Sequence, residues 1–116
     1  IYRYRCRPGY GSKKLLIEFM IPKADKKFLN DFSTALKPLN IKAGKKVDLW
    51  MNDEVIQYFT SDIGKFELSI DVWDCVFIMS KSQSVIHQID TVLQNEQAFV
   101  KEDVDFEDYK NKAKEI

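Results

Sequence analysis

The run Phe66-Glu67-Leu68-Ser69-Ile70-Asp71-Val72-Trp73-Asp74-Cys75-Val76-Phe77-Ile78-Met79-Ser80-Lys81-Ser82-Gln83-Ser84-Val85-Ile86-His87-Gln88-Ile89-Asp90-Thr91-Val92-Leu93 decides the fold. Phe66, Leu68, Ile70 and Val72 alternate with Glu67, Ser69 and Asp71. Period two with one polar side is the pattern of a half-buried strand. Continuing it past Trp73 would put Asp74 in the core, so the chain must bulge or turn at Trp73-Asp74 before Cys75 to Met79 resumes as a strand. Ser80 and Gln83 have the spacing of a capping box. Val85, Ile86, Ile89, Val92 and Leu93 then make one stripe of an amphipathic helix.

The same stripe occurs 57 residues earlier in Phe28, Leu29, Phe32, Ala35 and Leu36. At that offset Leu15 to Ile21, an apolar strand ended by Pro22, falls on Val72 to Ile78. Two strand–helix units thus share a pattern without sharing residues. Pro38 closes the first helix, because the residue before a proline is disfavoured in the helical region. Asn40 to Lys45 reads as the following loop.

The remaining segments read as strands and turns. Ile1 to Arg7 alternates Tyr2, Tyr4 and Cys6 with Arg3, Arg5 and Arg7, a strand with one wet face. Pro8 to Ser12 is a loop. Val47–Met51 and Val55–Phe59 flank Asn52-Asp53, a pair suited to a two-residue hairpin turn. That turn sets Trp50 opposite Val55, Leu49 opposite Ile56 and Val47 opposite Tyr58. Thr60 to Gly64 turns the chain again. Ala98 to Lys101 makes a short closing strand. From Asp105 a short C-terminal helix carries Phe106, Tyr109 and Ala113, with acids early and lysines late, in accord with the helix dipole.

The expected fold is therefore α+β. A largely antiparallel sheet carries two main helices on one face, in a ferredoxin-like split βαβ topology with extra strands and a short C-terminal helix. All 116 residues fit a single α+β domain, 1–116.

Net charge is zero, yet Ile1 to Val47 holds 12 basic residues against 3 acidic ones, leaving 6 basic against 15 acidic for the rest. Such asymmetry points either to a charged partner or to basic elements laid beside acidic ones within the fold. No apolar run is long enough to span a bilayer, so no membrane partner is expected. Cys6 and Cys75 lack metal or redox spacing; they read as free thiols in a reducing cytoplasm, with a Cys6–Cys75 disulfide as the minor alternative.

Little in the sequence supports catalysis. His87 is the single histidine and sits mid-helix at the boundary of the apolar stripe. No spacing of His, Asp or Glu matches a metal site, and Gly9-Tyr10-Gly11-Ser12-Lys13-Lys14 lacks the helix start a phosphate loop requires. No catalytic residue, metal or cofactor is expected.

Two binding surfaces remain. If Val47, Leu49, Ile56 and Tyr58 face the core, the other sheet face shows Trp50, Val55 and Phe59, joined by Glu67, Asp71 and Trp73. Aromatics ringed by acids suit a non-catalytic protein-binding domain. Its partner would be a basic protein, as for an inhibitor, immunity protein or antitoxin of a nuclease. The alternative is nucleic-acid binding through Arg3, Arg5, Arg7, Tyr10, Lys13 and Lys14. A homodimer through exposed edge strands is the third reading.

Overall fold

The structure, a computed structural model, describes residues 1–9, 11–49, 54–71 and 73–110. Tyr10, Trp50, the Asn52-Asp53 turn, Val72 and Ala113 lie outside the described residues. Strands β1 (Tyr2–Pro8) and β2 (Leu15–Phe19) form an antiparallel hairpin, followed by α1 (Lys26–Ala35). Strands β3 (Lys42–Leu49), β4 (Glu54–Ser61), β5 (Gly64–Ile70) and β6 (Val76–Met79) form a meander. Then come α2 (Gln83–Gln94), β7 (Phe99–Lys101) and α3 (Glu107–Lys110). Among the described residues these strands make one seven-stranded sheet in the order β3-β4-β5-β6-β2-β1-β7. Every neighbouring pair is antiparallel except β1 and β7. The fold class is thus α+β, with a mostly antiparallel sheet.

The hairpins fix the strand directions, and these leave β3 parallel to β2 and β7 parallel to β6. Helix α1 makes the first crossover and α2 the second. Both crossovers start from the adjacent, antiparallel central strands β2 and β6. Insertion of β1 between β2 and β7 is what makes the β1–β7 contact parallel.

Alternation sends Tyr4 and Cys6, Ile17 and Phe19, Val76 and Ile78, and Phe66 and Leu68 to one side of the sheet. These residues form a single buried cluster with Phe28 and Phe32 of α1 and with Val85, Ile86, Ile89 and Leu93 of α2. The Phe19 ring lies 5.0 Å from Phe28 and 5.6 Å from Phe32, edge to face, the arrangement aromatic quadrupoles favour. Helix α1 opens on Asp25, whose carboxylate accepts the Phe28 N–H at 2.9 Å. It closes before Pro38, which sits in a 3-10 turn (Lys37–Leu39) ended by Asn40 in the left-handed region at φ 51°.

Three expectations are corrected locally. The N-cap of α2 is Ser82, and the Ser80–Gln83 capping box does not form. Gln83 instead turns to β2, accepting the Leu15 N–H at 2.7 Å and donating to the Leu15 carbonyl at 3.3 Å. Ser80 donates to the Lys65 carbonyl, joining the end of β6 to the start of β5. Strand β3 begins at Lys42, where a loop was expected. As an exposed edge, paired on one side only, it needs no apolar alternation there, and a bulge between Ala43 and Lys46 breaks its register. The β3–β4 pairing sets Val47 against Ile56, Asp48 against Val55 and Leu49 against Glu54, two residues away from the expected register.

One buried polar group ties the second crossover to the sheet. Asp90 of α2 is only 6% exposed; it accepts the Tyr4 hydroxyl at 2.8 Å and the Lys101 ammonium at 2.7 Å. A buried carboxylate is tolerated because both oxygens are occupied. We expect Asp90→Ala to cost about 3 kcal/mol in urea unfolding, since it removes the carboxylate shared by the buried Tyr4 phenol and the Lys101 ammonium and leaves the phenol only its longer bond to the residue-90 carbonyl.

Burial, then the bond to Asp90, holds the Tyr4 phenol well above its ordinary value. A raised phenol contributes stability that is complete below the unfolded value of about 10 and is lost as pH rises beyond it. Tyrosinate absorbance should therefore show Tyr4 silent in the native state and ionising only with alkaline unfolding.

At Gly64, φ is +130° and an added Cβ would lie 2.9 Å from Val85 Cγ2. Gly64→Ala should accordingly destabilise by about 1–3 kcal/mol in the same assay, through strain and overpacking.

Candidate functional site

The sheet face opposite the core is laid out in cross-strand rows. Tyr58 of β4 pairs with Glu67 of β5, which pairs with Met79 of β6. The next row runs Val47, Ile56, Ser69, Phe77 and Glu18 across β3, β4, β5, β6 and β2. Tyr58 is 42% exposed and Met79 41%, with Ile56 and Phe77 half-buried beside them. A groove of about 630 Å³ runs over Tyr58, Glu67 and Met79, with Lys45, Lys65 and Lys81 in its lining. All three lysines are exposed, and no described acid pairs with them. The bulge places Gly44 against the Tyr58 carbonyl and gives Lys45 its position.

The described residues among those expected to form the patch do not come together. Phe59 faces the core, its ring stacked on Phe66 at 5.1 Å and 12°. Val55 pairs with Ile70 on that same side. Glu67 lies on the opposite face, opposite Tyr58. Asp71 is occupied in the β5–β6 turn, where its Oδ1 accepts the N–H groups of Trp73 and Cys75, each at 2.9 Å. Asp74 adopts the left-handed region there at φ 60°, and Trp73 stands 78% exposed at the tip. Trp50 falls outside the described residues.

The reason lies in the tight β4–β5 turn. Ser61 pairs with Gly64, which forces Phe59 opposite Phe66 and so puts the odd residues of β4 on the core side. The expected assignment of Ile56 and Tyr58 to the core is thereby reversed. The two-residue slip in the β3–β4 hairpin plays no part, because a shift of two leaves every side chain on its face. Met79, Phe77, Lys65 and Lys81 were missed. Pairing across Ser61–Gly64 sets Tyr58 opposite Glu67 and Lys65 opposite Thr60, and the β5–β6 register then adds Met79 and Phe77.

The basic strand is laid out differently from the expected phosphate track. Arg5 and Arg7 both donate through Nε to Glu18 Oε1, at 2.7 and 2.9 Å. Arg7 is only 6% exposed, with its guanidinium 4.8 Å from the Tyr109 ring and 5.6 Å from Phe77. It also donates to the Pro8 carbonyl at 3.0 Å. Arg3 pairs with Glu102 at 3.3 Å. Lys13 and Lys14 are exposed, and Tyr10 lies outside the described residues. Tyr109 docks α3 on this part of the sheet, so the face divides into an ionic part covered by α3 and an open apolar part over β4 to β6.

Cys6 is buried in the core cluster, whereas Cys75 feels the charges of Asp71 and Glu18 on the other face; both are free. Burial raises each thiol above its ordinary value. His87 is exposed on α2. Among the described residues no group of three His, Cys, Asp or Glu side chains is placed to hold a metal ion. No described helix is long and apolar enough to cross a membrane.

The position of Arg7 between two rings calls for a planar cation with a fork of donors. Arg7→Lys should therefore fail as a conservative change, costing about 1–3 kcal/mol in urea unfolding. A stability equal to wild type would show that the charge alone suffices. Comparison of the chain with protein families, curated proteins and solved structures finds no match.

Proposed function

We propose that this chain is a non-catalytic protein-binding domain whose contact surface is the open part of the sheet face opposite the core. The observation that carries this reading is the row Tyr58–Glu67–Met79, in which two large side chains stay more than 40% exposed beside half-buried Ile56 and Phe77. An apolar patch with a polar surround is the common form of a protein contact. Tyrosine gives such a contact much area with little rotamer entropy to lose.

The wiring, which we read as an elaborated ferredoxin-like split βαβ with both main helices on the other face, supplies the rigid support a flat contact needs. The strand edge supports a face-on contact. Lys42, Lys45, Lys46 and the bulge discourage a further strand from adding to β3. A small domain that blocks an enzyme, in the manner of an inhibitor or immunity protein, is one form such a binder takes. Two unbridged thiols fit a reducing, cytoplasmic setting.

The test is affinity capture from the source cells, followed by titration of the purified captured protein against variants. Tyr58→Ala should leave folding within about 1 kcal/mol of wild type, as expected for a side chain this exposed. It should weaken binding by about 2 kcal/mol, roughly thirty-fold. A partner that binds Tyr58→Ala and Met79→Ser as tightly as wild type would overturn the reading.

A further inference from the structure

We infer that the groove over Tyr58 and Met79 takes an extended acidic segment of a partner protein, with two carboxylates four residues apart flanking an apolar residue. This rests on the protein-binding reading above and specifies what the partner presents. The groove sets three exposed ammonium groups, Lys45, Lys65 and Lys81, against one carboxylate, Glu67. Its field therefore favours an acidic occupant, and like charge on the partner would be rejected. The acids expected to attract a basic partner are placed otherwise, with Glu67 among these lysines and Asp71 held in its turn.

The geometry sets the spacing. Lys45 lies on β3 beside Tyr58, while Lys81 follows Met79 at the end of β6. Three interstrand steps separate β3 from β6, about 14 Å at the usual spacing of about 4.8 Å. An extended chain covers that in about four residues, since each advances about 3.4 Å. With side chains alternating, positions i, i+2 and i+4 face the sheet together. Carboxylates at i and i+4 then reach Lys45 and Lys81, and the residue between them settles on Tyr58 and Met79. Lys65 stands one row above that centre, opposite Thr60. Ser82, which lines the same groove, caps α2 with no side-chain bond, so the helix dipole adds to the positive field beside Lys81.

A polypeptide suits these features better than nucleic acid does. Glu67 on the floor repels a phosphate chain, and Tyr58 is the one exposed ring in the groove's lining. Stacking platforms for single strands use successive aromatics along a basic groove.

Fluorescence anisotropy tests this with labelled peptides, at low and moderate salt. One probe carries glutamates two positions either side of a leucine, with threonine elsewhere; a second has lysine for each glutamate; a third is a labelled single-stranded oligonucleotide. The glutamate probe should bind, weaken with salt, and lose at least ten-fold with Lys65→Glu/Lys81→Glu. Lys23→Glu should bind it as wild type does. All of these lysines are exposed, and circular dichroism confirms that the variants fold. Tighter binding of the lysine probe would overturn the acidic assignment while leaving protein binding intact. Binding of the oligonucleotide alone would overturn both readings. No binding of any probe would overturn this inference and leave protein binding to the Tyr58→Ala titration.

Discussion

Much of the architecture depends on where the Phe19 side chain points. Its ring lies 5.0 to 6.1 Å from those of Phe28, Phe32, Phe99 and Tyr4, and so joins β1, β2, β7 and α1. Burying one such ring is worth about 2–3 kcal/mol, and four mutual contacts make its orientation hard to reverse. Once Phe19 faces α1, alternation carries the choice through the register to the rest of the sheet. Phe19 pairs with Val76, and Ile70 pairs with Val76 and with Val55. The dry side of β4 is therefore settled three strands away from Phe19. The wet side, with Tyr58 and Met79 on it, follows as the remainder.

The elements themselves were largely legible, because each rests on local periodicity. Both helical stripes, the break at Trp73-Asp74 and the short C-terminal helix start at Asp105 all have structural counterparts. The 57-residue offset also has a physical counterpart. It carries Lys26, the first residue of α1, onto Gln83, the first of α2, and Lys42, the start of β3, onto Phe99, the start of β7. From the start of the helix to the start of the following strand the two crossovers are thus equal in length, and each leaves a central strand for the flank of the sheet. The preceding strands match less closely, since Leu15 opens β2 but Val76 opens β6, four residues later than the offset places it. The Asp71–Cys75 turn lies in that interval and makes up the difference.

What the sequence hid was the choice between faces. In β4 the alternating sets are Val55, Gln57 and Phe59 against Ile56 and Tyr58, and neither is clearly polar. Periodicity fails to orient such a strand, because its pattern is compatible with either side being buried. In β5 the sets are unambiguous, with Phe66, Leu68 and Ile70 against Glu67 and Ser69. The link between the two strands was the turn at Asp62-Ile63, and a pairing error of one residue there would exchange every side chain. The start of β3 was hidden for another reason. Lys42, Ala43, Gly44, Lys45 and Lys46 are all exposed, and an edge that buries nothing writes no hydrophobic pattern.

The same edge bears on the charge asymmetry of the chain. If the basic first part were neutralised by the acidic remainder, ion pairs would link the two. Arg3–Glu102 does so, and it is exposed. Arg5 and Arg7 are answered by Glu18, and Lys27 by Asp31, all within the first part; Lys101 and Asp90 pair within the second. Partial cancellation inside the fold therefore removes the arginines from the field and leaves lysines on the surface. Three of these, Lys42, Lys45 and Lys46, gather on β3, and Lys45 reaches into the groove where Lys65 and Lys81 join it. An ammonium on a flexible stem repels a further strand at the edge as well as an arginine would, and the length of that stem lets its charge reach a carboxylate over the adjacent face. One set of charges thereby guards the edge and selects what may lie across the sheet beside it.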